Sequence, residues 1–206
     1  MGTSRFYEID GIKYPSVTTI LSVITSPRLL NWQLEQASLG RKIGKREMAI
    51  GKQVHKGIEM FVTTGKEPAI GIWGFEAKSS WQAFKRWLEV EKPNLIQSEV
   101  AILNKEGGYT GTCDQTAEIG GAYTVLDYKS SEHINTIYWL QLAAYAKALG
   151  NVSQVGIIRL DKFLGDYEMT LRPYSEDDYQ TFLCIKQVWQ WINEMEGTHG
   201  DTKTED

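Results

Sequence analysis

Three charged side chains, Asp114, Asp127 and Lys129, have the types and the spacing needed for metal-assisted chemistry on a phosphate. Carboxylate oxygens are ligands that Mg²⁺ prefers in proteins, and a lysine ammonium group offsets phosphate charge. If these groups converge, a divalent ion beside a phosphate is the ligand that they suit best. The alternative is an exposed pair of strands with a surface ion pair, which contributes little to stability.

A β-hairpin is the element that must position these three side chains. Residues 109–119 and 122–129 are rich in Tyr, Thr, Val, Ile and Leu, and Gly120-Gly121 between them suits the positive φ angles of a tight turn. Side chains alternate between the two faces of a strand, so Asp127 and Lys129 point to the same side. We expect the aspartate of the first strand to reach them across the hairpin.

The remaining elements alternate between helical and strand patterns, which predicts an α/β fold with a three-layer α/β/α core. We expect a single domain over residues 1–198 with an N-terminal helical extension, followed by a polar, disordered tail over 199–206. The predicted elements are two short strands within 5–14, a helix beginning at Pro15-Ser16, a helical segment after Pro27, helices 41–64 and 75–91, strand 97–104, helix 134–149, strands 153–161 and 166–172, and helix 175–196.

The composition is that of an ordinary globular protein, with 42% hydrophobic and 23% charged residues. No run of about 18 apolar residues and no apolar signal segment is present, so we expect no membrane partner and a cytoplasmic location, in a bacterial or phage-infected cell. Two cysteines, Cys113 and Cys184, cannot ligate an iron–sulfur cluster alone. The net charge of −4 means that contact with DNA requires a local basic face.

The helix predicted over 41–64 carries such a basic face, with a single acid, Glu47, in its first half. A solvated helix surface is the alternative interpretation. The helix start after Pro15 offers hydroxyl groups and free amides that suit a phosphate, although plain capping by Ser16 is the alternative there. The candidate contacts to DNA phosphates are Ser16, Thr18, Lys45, Arg46 and Lys52.

Five short motifs follow one another along the chain. They are G-x-x-x-H at Gly51 and His55, a strand glutamate at Glu99, G-x-x-D from Gly111 to Asp114, D-x-K from Asp127 to Lys129, and Q-x-x-x-Y at Gln141 and Tyr145. In this order they resemble the RecB-like branch of the PD-(D/E)XK nuclease superfamily over roughly residues 15–150. The segment YPSVTTIL is also similar to the N-terminal motif of phage nucleases and of the mitochondrial genome maintenance exonuclease. Some relatives keep four cysteines around an iron–sulfur cluster, which two cysteines exclude here.

The resemblance implies a restriction-endonuclease-like core with a mixed central sheet, and hydrolysis of DNA with one or two Mg²⁺ or Mn²⁺ ions. A histidine beside carboxylates makes Mn²⁺ the better tolerated ion. Lys129 would orient the attacking water or, with a lowered pKa, deprotonate it. Gly51 would allow a close approach to its helix. The implied metal ligands are His55, Glu99, Asp114, Asp127 and the backbone carbonyl of Tyr128, and the implied catalytic residues are Asp114, Asp127, Lys129, Gln141 and Tyr145.

The predicted function is a metal-dependent exonuclease that acts on single-stranded or free-ended DNA. A structure-specific endonuclease and a catalytically silent relative that only binds nucleic acid are the alternatives. A silent relative has no need of both aspartates and the lysine, which disfavours the second alternative. A sugar-phosphate or nucleotide-binding enzyme is disfavoured because no glycine-rich phosphate loop follows a strand.

Overall fold

A computed structural model of the protein describes residues 5–24, 31, 34, 38 and 45–200, with the backbone alone for Lys45 and 196–200. Most of the helical segment predicted after Pro27, and the first four residues of the predicted basic helix, lie outside the described residues. Within the described part, no helix is long and apolar enough to cross a membrane.

The elements follow the predicted order of strands and helices, and the hairpin strands and helix 75–91 have the predicted bounds. The last helix continues to Gly200, so the predicted tail begins within it, and residues 201–206 lie outside the described part. The elements are β1 (Phe6–Ile9), β2 (Ile12–Pro15), α1 (Val17–Leu21), α2 (Lys45–Thr64), a 3₁₀ turn (Ile70–Ile72), α3 (Phe75–Glu91), β3 (Asn94–Asn104), β4 (Tyr109–Ile119), β5 (Ala122–Lys129), α4 (Ile137–Leu149), β6 (Gln154–Leu160), β7 (Tyr167–Pro173) and α5 (Glu176–Gly200).

The central sheet has five strands in the order β3-β4-β5-β6-β7. Neighbouring strands are antiparallel except for β5 and β6, which are parallel and connected through α4. Because parallel neighbours end at one edge of a sheet, the end of β5 at Lys129 lies beside Arg159 of β6. The mixed sheet confirms the predicted fold class.

Helices cover both faces of the sheet and form two separate cores, so the predicted three layers are present. The first core lies under α1, α4 and α5 and includes Leu142 of α4 and Phe182 of α5, both fully buried. The second lies under α2 and α3, around Trp87 and Phe84. Val125 of β5 belongs to the first core, while Leu126 and Tyr128 belong to the second. Asp127 and Lys129 therefore face the α4 side.

The alternation of side chains between the two faces of the sheet is interrupted where β3 pairs with β4. Cys113 packs in the first core and Ala117 in the second, although residues four apart in a regular strand share a face. On β3, Glu99 has a φ of +51°, a left-handed conformation that a non-glycine residue keeps only when its surroundings hold it there. Asp114 lies opposite it, between residues that do pair. Both carboxylates are thereby taken out of the regular ladder.

Candidate active site

A buried ion pair lies at the end of β5. Lys129 Nζ is 2.9 Å from Asp127 Oδ1 and 2.6 Å from Oδ2. Only 2% of the Asp127 side chain and 20% of the Lys129 side chain are exposed, so the interpretation as a surface ion pair is wrong. The ammonium group also lies 4.5 Å from the ring centroid of Tyr138, a cation–π contact that helps to fix its position.

Each member of the Asp127–Lys129 pair shifts the pKa of the other towards its charged form. Burial raises the pKa of Asp127 to about 6, against the attraction of Lys129, which lowers it. For Lys129, burial lowers the pKa, but the carboxylates of Asp127 and Asp114 outweigh it and raise the pKa above its usual value. Without a metal ion beside it, Lys129 is therefore protonated, the state that suits orienting the attacking water. The base role, which requires nearby metal ions to lower this pKa, stays a prediction.

The G-x-x-D and Q-x-x-x-Y motifs meet behind Asp127. Gln141 Nε2 donates to Asp127 Oδ1 at 3.2 Å and lies 3.2 Å from the Tyr145 hydroxyl oxygen, and both side chains are buried. A side chain at Gly111 would bring its Cβ to 2.9 Å from the Tyr145 ring, closer than real contacts allow. Gly111 is therefore needed for Tyr145 to pack here. Gln141 thus contacts Asp127 Oδ1, the oxygen that also accepts from Lys129, and its expected contact with a phosphate stays a prediction.

His55 of α2 connects the other aspartate with the backbone of β5. Its Nε2 is 3.0 Å from the Tyr128 carbonyl oxygen, and its Nδ1 is 3.5 Å from Asp114 Oδ1. The second oxygen of Asp114 accepts a hydrogen bond from the Tyr128 backbone N–H at 2.9 Å. His55, Asp114 and the Tyr128 peptide thus form one connected group next to the Asp127–Lys129 pair.

Opposing effects set the charges in this group. Burial alone would lower the pKa of His55, but the carboxylate of Asp114, with Asp127 further away, raises it to about 9. Burial raises the pKa of Asp114, yet His55, Lys129 and the Tyr128 amide together hold it below its usual value. An ion pair between His55 and Asp114 is therefore the stable state of these two side chains by themselves near pH 7.

Glu99 completes a cluster whose composition fits a divalent metal ion. Ligand atoms of His55, Glu99 and Asp114 lie within 4.8 Å of one another. Burial, and then the charge of Asp114, raise the pKa of Glu99, as expected for carboxylates that crowd without a cation. Hard oxygen ligands with one imidazole suit Mg²⁺ or Mn²⁺.

Asp127 lies outside this three-residue cluster but borders it. Its Oδ1 accepts hydrogen bonds from Lys129 and Gln141, whereas its buried Oδ2 accepts none of good geometry despite its closeness to Lys129. A buried carboxylate oxygen without a hydrogen bond keeps its capacity for a further ligand. Asp127 therefore fits as an additional metal ligand, as the resemblance implies.

Gly51 lies one turn before His55, where α2 approaches the end of β5. A Cβ built at Gly51 would lie 3.8 Å from Ser130 Oγ, which is an ordinary van der Waals contact. No contact within the protein therefore requires a glycine at Gly51, and the expectation that it allows a metal site to approach stays a prediction.

Comparison with known proteins identifies the fold. No family model and no curated protein matches the chain significantly. An alkaline exonuclease from Laribacter hongkongensis (LHK-Exo) aligns over 91% of both chains, with 12% identity and a TM-score of 0.50. LHK-Exo in complex with dAMP aligns over 91% of both chains, with 13% identity and a TM-score of 0.52. The chain shares the fold of LHK-Exo. A phage-related exonuclease from Haemophilus somnus 129PT has a TM-score of 0.42 at 14% identity, over 87% of this chain and 95% of that chain.

The likeness to LHK-Exo, at 12–13% identity, concerns the fold, so the predicted DNA contacts must be judged from their own geometry. Ser16 is buried, and its Oγ accepts a hydrogen bond from the Thr19 backbone N–H at 3.1 Å. It caps α1 and does not face solvent, so the capping alternative is correct for Ser16. Thr18 is exposed and remains available.

On α2, the predicted basic face is partly neutralised. Arg46 Nη2 lies 2.6 Å from Glu76 of α3, an ion pair between distant segments that the sequence pattern does not show. Lys52 is exposed and lies one turn before His55, while the side chain of Lys45 lies outside the described part. Among the predicted lysine and arginine contacts with described side chains, Lys52 is exposed and has no ion pair with another helix such as that of Arg46.

Sequence reasoning missed Tyr138 and Ser98. Tyr138 lies three residues before Gln141 on α4, so helical spacing from the motif could have found it. Ser98 Oγ donates to the Asp114 backbone carbonyl at 3.2 Å and fixes the interrupted pairing. No sequence signal indicates that contact, because it depends on the register between β3 and β4.

Proposed function

We propose that this protein is a Mg²⁺- or Mn²⁺-dependent exonuclease that hydrolyses phosphodiester bonds in DNA, acting in the cytoplasm of a bacterial or phage-infected cell. The observation that carries the proposal is the buried Asp127–Lys129 pair beside the group of His55, Asp114 and the Tyr128 carbonyl. Burying two charges costs about as much as their attraction returns, so such a pair is weak as a stabilising device. Because the pair lies beside a set of candidate metal ligands, a catalytic role explains it better than a stabilising one. The exonuclease fold shared with LHK-Exo supports the same conclusion.

The residues divide into ligands and positioning groups. His55, Glu99, Asp114, Asp127 and the Tyr128 carbonyl would hold one or two divalent ions. When bound, such an ion neutralises phosphate charge and lowers the pKa of a water molecule. Binding requires His55 in its neutral form, so the proton that its raised pKa retains must leave first.

Lys129 acts as a fixed cation. Its ammonium group donates hydrogen bonds to the attacking water or to a phosphate oxygen, and its charge offsets the charge that develops on the phosphate. The water oxygen forms a bond to phosphorus and releases one proton to solvent, the bond from phosphorus to the leaving sugar oxygen breaks, and that oxygen takes up a proton from solvent. Gln141, hydrogen-bonded to Tyr145, whose ring packs against Gly111, orients Asp127 throughout.

Charge distribution favours a substrate with a free end or a single strand. Affinity for duplex DNA grows with the number of phosphates that basic side chains neutralise. The chain has a net charge of −4, and Arg46 is paired with Glu76. A strand that enters the site by its end needs fewer contacts between basic side chains and phosphates than a duplex that is bound along its length.

Digestion of labelled DNA tests the proposal. Linear and circular forms of single-stranded and double-stranded DNA, labelled at the ends or internally, are incubated with Mg²⁺, Mn²⁺ or EDTA, with Asp127→Asn as the control for contaminating nuclease. We expect mononucleotides or short products from linear DNA, no cutting of circles, and no activity in EDTA or in the variant. Rapid cutting of circles would identify an endonuclease instead. Binding without metal-dependent cutting would identify a silent DNA-binding protein.

A further inference from the structure

The connection between β6 and β7, residues 161–166, leaves the sheet at the edge where the proposed catalytic residues lie. Lys129 of β5 and Arg159 of β6 are paired residues of parallel strands. Paired parallel strands lie about 4.8 Å apart, and the connection begins two residues after Arg159. The connection therefore begins at the same sheet edge as Lys129, within reach of a nucleic acid strand bound there.

Hydrogen bonds hold the connection in one conformation. One oxygen of the Asp161 carboxylate accepts hydrogen bonds from the backbone N–H groups of Phe163 and Leu164, both at 2.8 Å. The other accepts one from Arg159 Nη1 at 3.1 Å. These groups hold the pKa of Asp161 below its usual value, against the effect of its partial burial. Gly165, with a φ of +66°, lies against α3.

The tip of this connection displays apolar side chains to solvent. Phe163 is 50% exposed and Leu164 is 83% exposed. The ammonium group of Lys162 lies 5.3 Å from the centroid of the Phe163 ring. An exposed ring beside a cation is the combination with which proteins bind unpaired bases and the phosphates that join them.

We propose that Lys162, Phe163 and Leu164 form a base-binding platform for the DNA strand that enters the site. Phe163 stacks on an unpaired base, Leu164 packs beside the same base, and Lys162 contacts the adjoining phosphate. This inference rests on the proposed nuclease function. A protein partner is the competing occupant, and the sheet edge shared with Lys129 together with the cation Lys162 favours nucleic acid.

A binding experiment with a matched control tests the platform. The Phe163→Ala, Leu164→Ala double variant is compared with a Val188→Ala, Trp191→Ala double variant, whose residues are similarly exposed (51% and 61%) but lie on α5, which covers the opposite face of the sheet from α3. Fluorescence anisotropy with a labelled single-stranded oligonucleotide in EDTA measures affinity without cutting. Loss of one stacked base should raise Kd roughly 5- to 150-fold in the first variant. The second should bind like the wild type, and both should keep the wild-type melting temperature.

A change in the DNA identifies the contact. Oligonucleotides with abasic sites should bind the wild type as weakly as they bind the platform variant, because the base is then already missing. A 2-aminopurine base placed near the end should be quenched by the wild type and less by Phe163→Leu, which preserves an apolar tip. If the wild type and the platform variant bind intact DNA with equal affinity, the platform is wrong and a protein partner is favoured. The same conclusion follows if abasic sites still weaken the affinity of the platform variant for DNA.

The outcomes separate this inference from the proposed function. If the wild type cuts linear DNA and the platform variant binds and cuts equally well, the platform is wrong and the nuclease function stands. If the wild type neither binds nor cuts any DNA, the proposed function itself is wrong.

Discussion

Raising the pH from 6.5 to 8.5 should strengthen metal binding at the site, because His55 must lose a proton to become a ligand. Its pKa of about 9 means that the protonated, non-binding form prevails across this range. Each unit of pH below 9 then reduces the neutral fraction tenfold, which weakens apparent metal affinity by about 1.4 kcal/mol per unit. An ordinary histidine would produce almost no change above pH 7.5.

The expected magnitude over this interval is roughly a hundredfold change in Kd, or about 2.7 kcal/mol. Asp127 does not contribute, because its pKa of about 6 leaves it ionised over most of the range. Isothermal titration of the metal-free protein with Mg²⁺ or Mn²⁺, repeated in buffers with different ionisation enthalpies, should show release of about one proton per ion.

Two substitutions make the assay specific. His55→Gln removes the titrating group and should bind metal weakly with no slope against pH. His133→Gln removes an exposed histidine and should keep the wild-type slope. A wild-type Kd that changes less than threefold across the interval, or a slope that survives in His55→Gln, would refute the role assigned to His55.

Three further outcomes are expected. Asp127→Asn should lower kcat by a factor that corresponds to about 3 kcal/mol or more, with an unchanged circular dichroism spectrum, because the residue acts on the reaction and its burial as a charge is unfavourable. Gly111→Ala should displace the Tyr145 ring and reduce both melting temperature and activity, whereas Gly51→Ala, whose Cβ would make only an ordinary van der Waals contact, should leave both near wild type. In EDTA, the free energy of unfolding should fall by up to about 3 kcal/mol as pH rises from 6.5 through 9, because the His55–Asp114 pair stabilises only the protonated imidazole. Urea titrations at several pH values measure this loss, which should be absent in His55→Gln.

The catalytic hairpin is predictable from the sequence because its signals are local. Alternation and the Gly120-Gly121 turn give strand bounds that coincide with β4 and β5. The shared face of Asp127 and Lys129 follows from the same two-residue period and is confirmed by their ion pair. The apolar helix that carries Gln141 is predicted within a few residues of α4.

The features that sequence reasoning could not provide depend on contacts between distant elements. The left-handed φ of Glu99 interrupts the side-chain alternation on which strand predictions rely, and no pattern in the neighbouring residues indicates this interruption. The raised pKa of Lys129 comes from carboxylates that lie close to it only in the folded chain. The pairing of Arg46 with Glu76 likewise joins two helices separated by a long connection.

The break in alternation between β3 and β4 has a consequence for when the protein can act. One group of site residues is supplied from the α2 side, through His55, and the other from the α4 side, through Gln141. A partly folded chain that has assembled only one helical layer holds only half of the site, and exposed carboxylates without their partners bind a divalent ion weakly. Under the proposed function, both helical layers must therefore be in place before the chain can cut DNA.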